Sequence, residues 1–510
     1  MDQAARHGTA GNLLYDTLFA PLAGKGGDLL ILPDGTAISR DRFHAMVLRA
    51  AAALAAAGVR PGDRVAVQVA KSPASLALYG GAVAAGAVFL PLNTAYTPAE
   101  VGYFTGDAEP AVLVCDPARA GALAPVANGA QVLTLDAGGG GTFAALAGDA
   151  AAAAPVPRGP DDLAGILYTS GTTGRSKGAM LTHRNLLSNA EVLAALWEFS
   201  ADDVLLHMLP IFHTHGLFVA TNIALLTGGR MILCPGFDAG EAVRLMPQAT
   251  AMMGVPTFYT RLLDDPRLDR ALTAHMRLFV SGSAPLLAET HRDWEARTGH
   301  RILERYGMTE TNMNTSNPYR GERRAGTVGL PLPGVEVRVC DGAGVPLPPG
   351  ETGMVEVRGP NVFKGYWRMP EKTAEELRPD GFFITGDLGR FDADGYLTIV
   401  GRQKDLIITG GFNVYPVEVE EAIDALPGVL ESAVVGVPHP DFGEGVLAVV
   451  VPRSGAAVDP AAVVAALGAR LAKFKLPKAV EVVAALPRNT MGKVQKAELR
   501  ARYAARFTGG

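Results

Sequence analysis

The sequence predicts an α/β protein, with a large N-terminal domain of layered α/β subdomains plus a small β-barrel and then a small α+β C-terminal domain. Three observations carry this expectation. Over residues 1 to about 160 strand-like apolar runs alternate with alanine-rich helical ones, which is the texture of a largely parallel sheet. After about residue 318 the strands become short and are punctuated by glycine and proline. The last stretch, from about 406 to 504, mixes helices and strands over a length sufficient for a domain of its own.

The elements follow in order. Residues 42–57 are alanine-rich, have helical promise and end at Gly58; 63–69 (DRVAVQV) read as a strand, 72–85 as a helix, and 88–92 and 111–115 as further strands. Residues 145–160, rich in alanine and proline, read as a linker or surface excursion. A second α/β run occupies 202–233, 252–255 and 276–281. The strings VGLPLPGVEVRVCD, GMVEVRGP and GYLTIVG supply the strands of a small β-barrel or sheet. Residues 401–411 lead into a final unit with helices at 416–425 and 460–472, strands at 432–437 and 445–452, and a terminal helix from 493. The expected division is 1–401, a connection at 402–405, and 406–510.

Composition narrows the function. With 510 residues, 48% hydrophobic and 19% charged, the chain is too long for a single core and has ample material for several. A net charge of -5 gives no basic field for nucleic acid, so anionic ligands must be met by local clusters. Cys115, Cys234 and Cys340 lie far apart and match no zinc spacing, which favours a reducing compartment. The first twenty residues carry no secretory pattern. Residues 76–92 are apolar but short and interrupted by glycines, so a buried helix running into a strand is the better reading than a membrane span. The expectation is a cytoplasmic protein without nucleic-acid or membrane partners.

The most informative stretch is ILYTSGTTGRSKG at 166–178. A strand end is followed by Thr169, Ser170, Gly171, Thr172, Thr173 and Gly174, then Lys177, and a helix-like run begins at Ala179. Glycines let backbone N-H groups approach an anion, hydroxyls donate further bonds, and lysine adds charge, so this reads as a phosphate cradle. The Walker pattern fails, because Ser176 precedes Lys177 and Gly178 follows it. A surface loop in a glycine-rich protein is the bland alternative; the ordered ten-residue string is far more specific than a lone glycine motif.

YTSGTTGRSKG (168–178), ERYGMTE (304–310), TGD (385–387), GRQKD (401–405) and PRNTMGK (487–493) stand in the order and approximate spacing of the adenylate-forming enzymes, which the chain resembles over nearly its whole length. The resemblance implies ATP and CoA as co-substrates with Mg2+, and a reaction in two halves, acyl-adenylate formation and then thiol attack. It implies that residues 169–177 hold the triphosphate, that Thr309 meets the α-phosphate, and that Glu310 binds the metal. Ser283, Ala284 and Pro285 are then the adenine-side loop, and Glu304, Arg305, Tyr306, Gly307 and Met308 the facing strand. Asp387 should accept from the ribose hydroxyls, with Arg402 beside it. Lys493 resembles the mobile catalytic lysine and Lys404 the hinge, while Gly410, Gly411 and Phe412 would border the CoA thiol arm and Lys473 and Lys475 its phosphates. Lys493 is also a candidate for control by a lysine acetyltransferase.

For the acid, Arg261 in MGVPTFYTRLL, Ser281, and His213 in PIFHTHG are expected to grip a second carboxylate, with His215 the weaker candidate. These strings, with ERYGMTETNMNTSNP and NVFKGYWRMPEKT, closely resemble those of malonyl-CoA synthetases, which implies malonate as the substrate and leaves methylmalonate open. A buried arginine left unpaired by acetate would cost about 2 to 5 kcal/mol. Three alternatives stand beside this reading: a small-monocarboxylate synthetase, a stand-alone adenylation domain that loads a carrier protein, and a nucleotide-binding sensor that has lost catalysis.

Overall fold

The alanine-rich beginning folds as two helices in close contact. Ser39 caps the helix Arg40–Ala56 by accepting from the Arg42 backbone N-H, and Ser72 and Ser75 form a capping box at the start of Pro73–Ala84. A Cβ on Gly81 would lie 2.6 Å from that of Ala50, so the glycine is what lets the two helices approach this closely. The second helix runs directly into the buried strand Val88–Pro91, as expected for an apolar segment too short to span a bilayer. The computed structural model describes residues 11–149, 153–169, 176–468, 470–489 and 492–508; among these, no helix is long and apolar enough to cross a membrane.

Two large sheets build the N-terminal domain. The first has six strands in the order Gln131–Thr134, Val112–Cys115, Arg64–Gln68, Val88–Pro91, Leu163–Thr169, Lys177–Thr182, parallel except for the last pair. The second has nine, with Val204–His207, Ala251–Gly254, Leu278–Ser281 and Leu303–Met308 running parallel at its centre. Asp28–Ile31 joins this second sheet beside Arg230–Leu233, far along the chain. The small β unit is a meander of four antiparallel strands, Glu336–Cys340, Gly353–Arg358, Phe383–Phe391 and Leu397–Arg402.

Two sequence expectations are corrected. The presumed linker at 145–160 begins as the end of the helix Thr142–Asp149, and beyond it Val156 donates to the Ala84 carbonyl at 2.8 Å while Arg158 reaches that of Gly86 at 3.0 Å. The segment is a strap fastened to the end of the helix Pro73–Ala84 and to the turn after it. The run from Ala179 is not helical either; residues 177–182 pair antiparallel with Leu163–Thr169, and the helix starts at His183 behind a Thr182/Asn185 capping box.

The C-terminal unit has its own sheet, led by Val429–His439 and Gly443–Pro452. Helices Pro416–Asp424 and Pro460–Gly468 contribute to the core on one face; Leu486 and Leu499, the latter from the helix Lys496–Arg502, contribute on the other. That last helix begins three residues beyond Lys493, leaving the lysine in the turn before it. Between the two units the chain passes through the short turn Gln403–Asp405.

Candidate active site

Functional side chains gather at the C-terminal ends of the parallel strands, where crevices open in α/β sheets. Along Leu303–Met308 successive side chains point to opposite faces, so Tyr306 and Arg305 serve different surroundings. The Tyr306 hydroxyl donates to Asp387 at 2.6 Å, and Arg402, opposite Asp387 in the strand register, donates to its other oxygen at 2.8 Å. The three residues assigned to the nucleoside side are thus joined in one network. Burial, with Asp387 alongside, pushes the Tyr306 phenol well up. Glu304 is turned to His291 at 3.3 Å, so its carboxylate is engaged inside the sheet. Gly307 has no room for a side chain, since a Cβ would lie 1.9 Å from the Asn312 carbonyl oxygen. Met308 is half-buried. In the loop 282–285, before Ala284 and Pro285, Ser283 adopts a positive φ of 70°, a strained geometry of the kind that clusters at functional sites.

On the phosphate side, Ser170, Gly171, Thr172, Thr173 and Gly174 lie outside the described residues. Thr169 donates to Glu310 at 3.4 Å, and Thr309 sits half-buried beside it. Lys177 departs from expectation. Its ammonium lies 3.2 Å from both oxygens of Glu376 and 4.0 Å from the Tyr366 ring centre, so it is anchored rather than free for phosphate. Tyr366 has one hydroxyl proton between Glu310 at 3.0 Å and Glu376 at 2.7 Å. Burial raises the Glu310 carboxyl. A buried carboxylate that Thr169 reaches fits a hard cation, and no group of three or more potential metal-ligating residues occurs among the described residues. That donor set suits Mg2+, which takes one or two carboxylates and completes its shell with phosphate and water.

The opposite face of the strand holds the largest departure. Arg305 is 3% exposed, and its Nε and Nη2 have no hydrogen-bond partner among the described residues. Burial brings its guanidinium down to about 9. Gly282 makes way for it, since a Cβ there would lie 2.4 Å from the guanidinium carbon. Burial, then Arg305 and Lys493, hold His213 down at about 4; burial and Arg305 also keep His215 well below the usual imidazole range. His215 Nδ1 is 3.3 Å from Ser283 Oγ, while its Nε2 and the hydroxyl of Ser281 have no partner among the described residues. The two imidazoles thus lie in the field of a buried guanidinium, two of whose nitrogens have no partner among the described residues. The sequence reading assigned Arg305 to the adenine strand; the alternation that turns it away from Tyr306 was the available signal.

Arg261, expected as the buried clamp, is exposed at the end of the helix Pro256–Leu263. It lines a cavity of about 350 Å³ with Phe212, Phe237, Phe258, Arg488 and Gly492, at the seam between the two domains. The helix turn at this position points the side chain to the rim. Its neighbour Asp265 is taken by Arg267.

Lys493 reaches the cleft from the small domain. A Cβ on the preceding Gly492 would lie 3.1 Å from Thr257 Oγ1, so this turn rests on the large domain. Burial of its ammonium, with Arg402 and Lys404 nearby, lowers Lys493 to about 8 although its stem stays exposed. Lys404 sits in the connecting turn, and Asp405 beside it pairs with Arg500 at 2.9 Å. Arg453 of the small domain pairs with Glu289 of the large one at 2.8 Å. Gly410 and Gly411 have positive φ, and Phe412, 56% exposed, stacks on Phe474 at 4.7 Å. Lys473 is exposed nearby, whereas Lys475 is held by Glu418 at 2.5 Å and is not free for a CoA phosphate. The acetyltransferase reading of Lys493 gains no support from this geometry.

The family model described as AMP-binding enzyme matches residues 22–367, and the AMP-binding enzyme C-terminal domain matches 418–493. A feruloyl-CoA synthase from Amycolatopsis sp is 40% identical over 475 residues, covering 92% of this chain and 94% of the relative. A mitochondrial malonate–CoA ligase from Mus musculus is 36% identical over 456 residues, covering 81% and 77%. The crystal structure of ATP-bound MatB from Rhodopseudomonas palustris superposes with a TM-score of 0.95 at 58% identity, covering 97% of this chain and 99% of that one.

Proposed function

Since the chain belongs to the AMP-binding enzyme family, we propose that it is an AMP-forming acid–CoA ligase and that its acid is malonate, activated as malonyl-adenylate and released as malonyl-CoA. The observation that carries the choice of acid is the buried guanidinium of Arg305, whose Nε and Nη2 lack a partner among the described residues and whose charge bears on His213 and His215. A guanidinium can hold a carboxylate through two parallel bonds. A monocarboxylate such as ferulate or acetate would leave it buried and unpaired, so the arginine favours malonate over the acid named for the Amycolatopsis relative. Arg261 guards the rim of the adjoining cavity.

The residues divide the work accordingly. Arg305, Ser281 and His213 fix the distal carboxylate, which leaves the reacting carboxylate to face the α-phosphate of ATP. Tyr306, Asp387 and Arg402 hold the nucleoside, and Lys493 bridges the attacking oxygen and the α-phosphate, offsetting the negative charge brought together there. Glu310 would hold Mg2+, which supplies charge neutralisation at the polyphosphate. Pyrophosphate leaves first, and the CoA thiol then displaces AMP from the acyl carbon. That second step needs Lys493 withdrawn, a rotation we assign to the turn at Lys404 with Gly410 to Phe412 swinging in to border the thiol arm.

The direct test is pyrophosphate release and thioester formation with ATP, magnesium, CoA and a panel of malonate, methylmalonate, acetate, octanoate and ferulate. Malonate should be preferred. Methylmalonate should follow within the roughly 1 to 3 kcal/mol that one methyl group is worth. A preference for ferulate or octanoate would overturn the substrate and leave the ligase chemistry standing. Lys404→Pro should slow thioester formation more than adenylate formation, as read by assaying each half-reaction separately; equal losses would reject the hinge.

A further inference from the structure

The segment that presents His213 and His215 is fastened from behind by a buried lysine. Lys71 is 9% exposed and has no ion pair among the described residues. Its ammonium makes three contacts, each 2.8 Å: to Nδ1 of His207, to the His207 carbonyl and to the Leu209 carbonyl. A protonated amine has three donors, and all three are used here. Lys71 belongs to the turn after the strand Arg64–Gln68, immediately before the capped helix Pro73–Ala84, so it comes from the first sheet. His207 ends the strand Val204–His207 of the second.

From His207 the network continues to the far end of the same segment. Nδ1 accepts from Lys71, so the ring proton sits on Nε2, which lies 3.0 Å from both the Gly216 carbonyl and Thr221 Oγ1. Thr221 also donates to the Gly216 carbonyl, at 2.9 Å. Gly216 itself closes against the start of the loop, because a Cβ there would lie 2.0 Å from the Pro210 carbonyl oxygen. The Lys71–His207 pair therefore holds carbonyls at both ends of the stretch that includes Pro210 to His215.

We infer that Lys71 is a positioning residue for acid recognition: through His207 it sets the loop that aims His213 and His215 at the distal group of the acid. This rests on the reading of that loop as the acid site. Burial brings the lysine down to about 7, and its three hydrogen-bond partners are a ring nitrogen and two carbonyls, an expensive arrangement for a plain strut between sheets. Lys71 does not itself reach the acid pocket through any hydrogen bond among the described residues.

The test compares Lys71→Met, Lys71→Arg and Thr221→Val with the wild type, using whichever acid of the panel the wild type activates best. Lys71→Met should raise KM for the acid about tenfold, the scale expected when buried carbonyls lose their donor, with KM for ATP moving less than about twofold. Lys71→Arg should recover part of the loss, and Thr221→Val should raise the acid KM by about threefold. Parallel rises in both KM values, or an unchanged acid KM with a lowered melting temperature, would make Lys71 a strut and overturn the inference. If Lys71→Met does not fold, an unchanged acid KM in Thr221→Val overturns it alone. A wild type that prefers another acid refutes malonate without touching this result.

Discussion

Lys493→Met is expected to slow acyl-adenylate formation by about 10²- to 10³-fold, the size of effect seen when a group aimed at developing transition-state charge is removed. Thioester formation from a preformed adenylate should remain close to wild type, because the lysine has no task in that step. The two half-reactions, measured separately by pyrophosphate release and by CoA consumption, distinguish this from general damage; equal loss in both would remove Lys493 from its role. The wild-type pH profile gives a second check. Burial and the neighbouring cations bring Lys493 to about 8, and the charged form exists below that value. The kcat/KM for adenylation, which reports free-enzyme groups, should therefore fall as pH rises through about 8 instead of holding toward the ordinary lysine range. A profile flat to pH 10 would contradict it.

Arg305→Met is expected to separate stability from function. Losing the guanidinium should cost the distal carboxylate about 2 to 5 kcal/mol of binding, read as a large rise in KM for malonate with KM for ATP little changed. The same substitution removes a buried charge that has no partner among the described residues, and replacing such a charge by an apolar side chain is often neutral or stabilising. The melting temperature should hold or rise. Acetate, which cannot use the guanidinium, should lose little and so gain in relative terms. A lowered melting temperature with malonate and acetate affected alike would mean that Arg305 serves the core. Arg261→Ala, at the exposed rim, should have the smaller effect on malonate.

Much of this was legible in the sequence, and what was missed has physical causes. The layered α/β body and the separate terminal unit follow from periodicity, whereas the helix start behind the Thr182 cap was placed too early, at Ala179. Asp387, Arg402 and Tyr306 could be assigned from motif resemblance, and they meet. Arg261 misled because an arginine on an otherwise apolar helix reads as buried, while only the turn of the helix decides whether it faces the core or the rim. Lys177 and Lys475 read as free cations because Glu376 and Glu418, which hold them, are distant in sequence. The strand Asp28–Ile31 was not singled out in the sequence, and no local signal reveals that its hydrogen-bonding partner is Arg230–Leu233.

The contact between Arg453 and Glu289 has a kinetic meaning. Both side chains are about two-fifths exposed, and an exposed pair of this kind contributes about 0 to 1 kcal/mol and weakens as salt rises. If the small domain rotates as proposed, a clasp that opens once in every turnover is best held near thermal energy: firm enough to bias the small domain toward the lysine-in arrangement, yet too feeble to make its release the slow step. Added salt should then tilt the balance of the two half-reactions toward thioester formation.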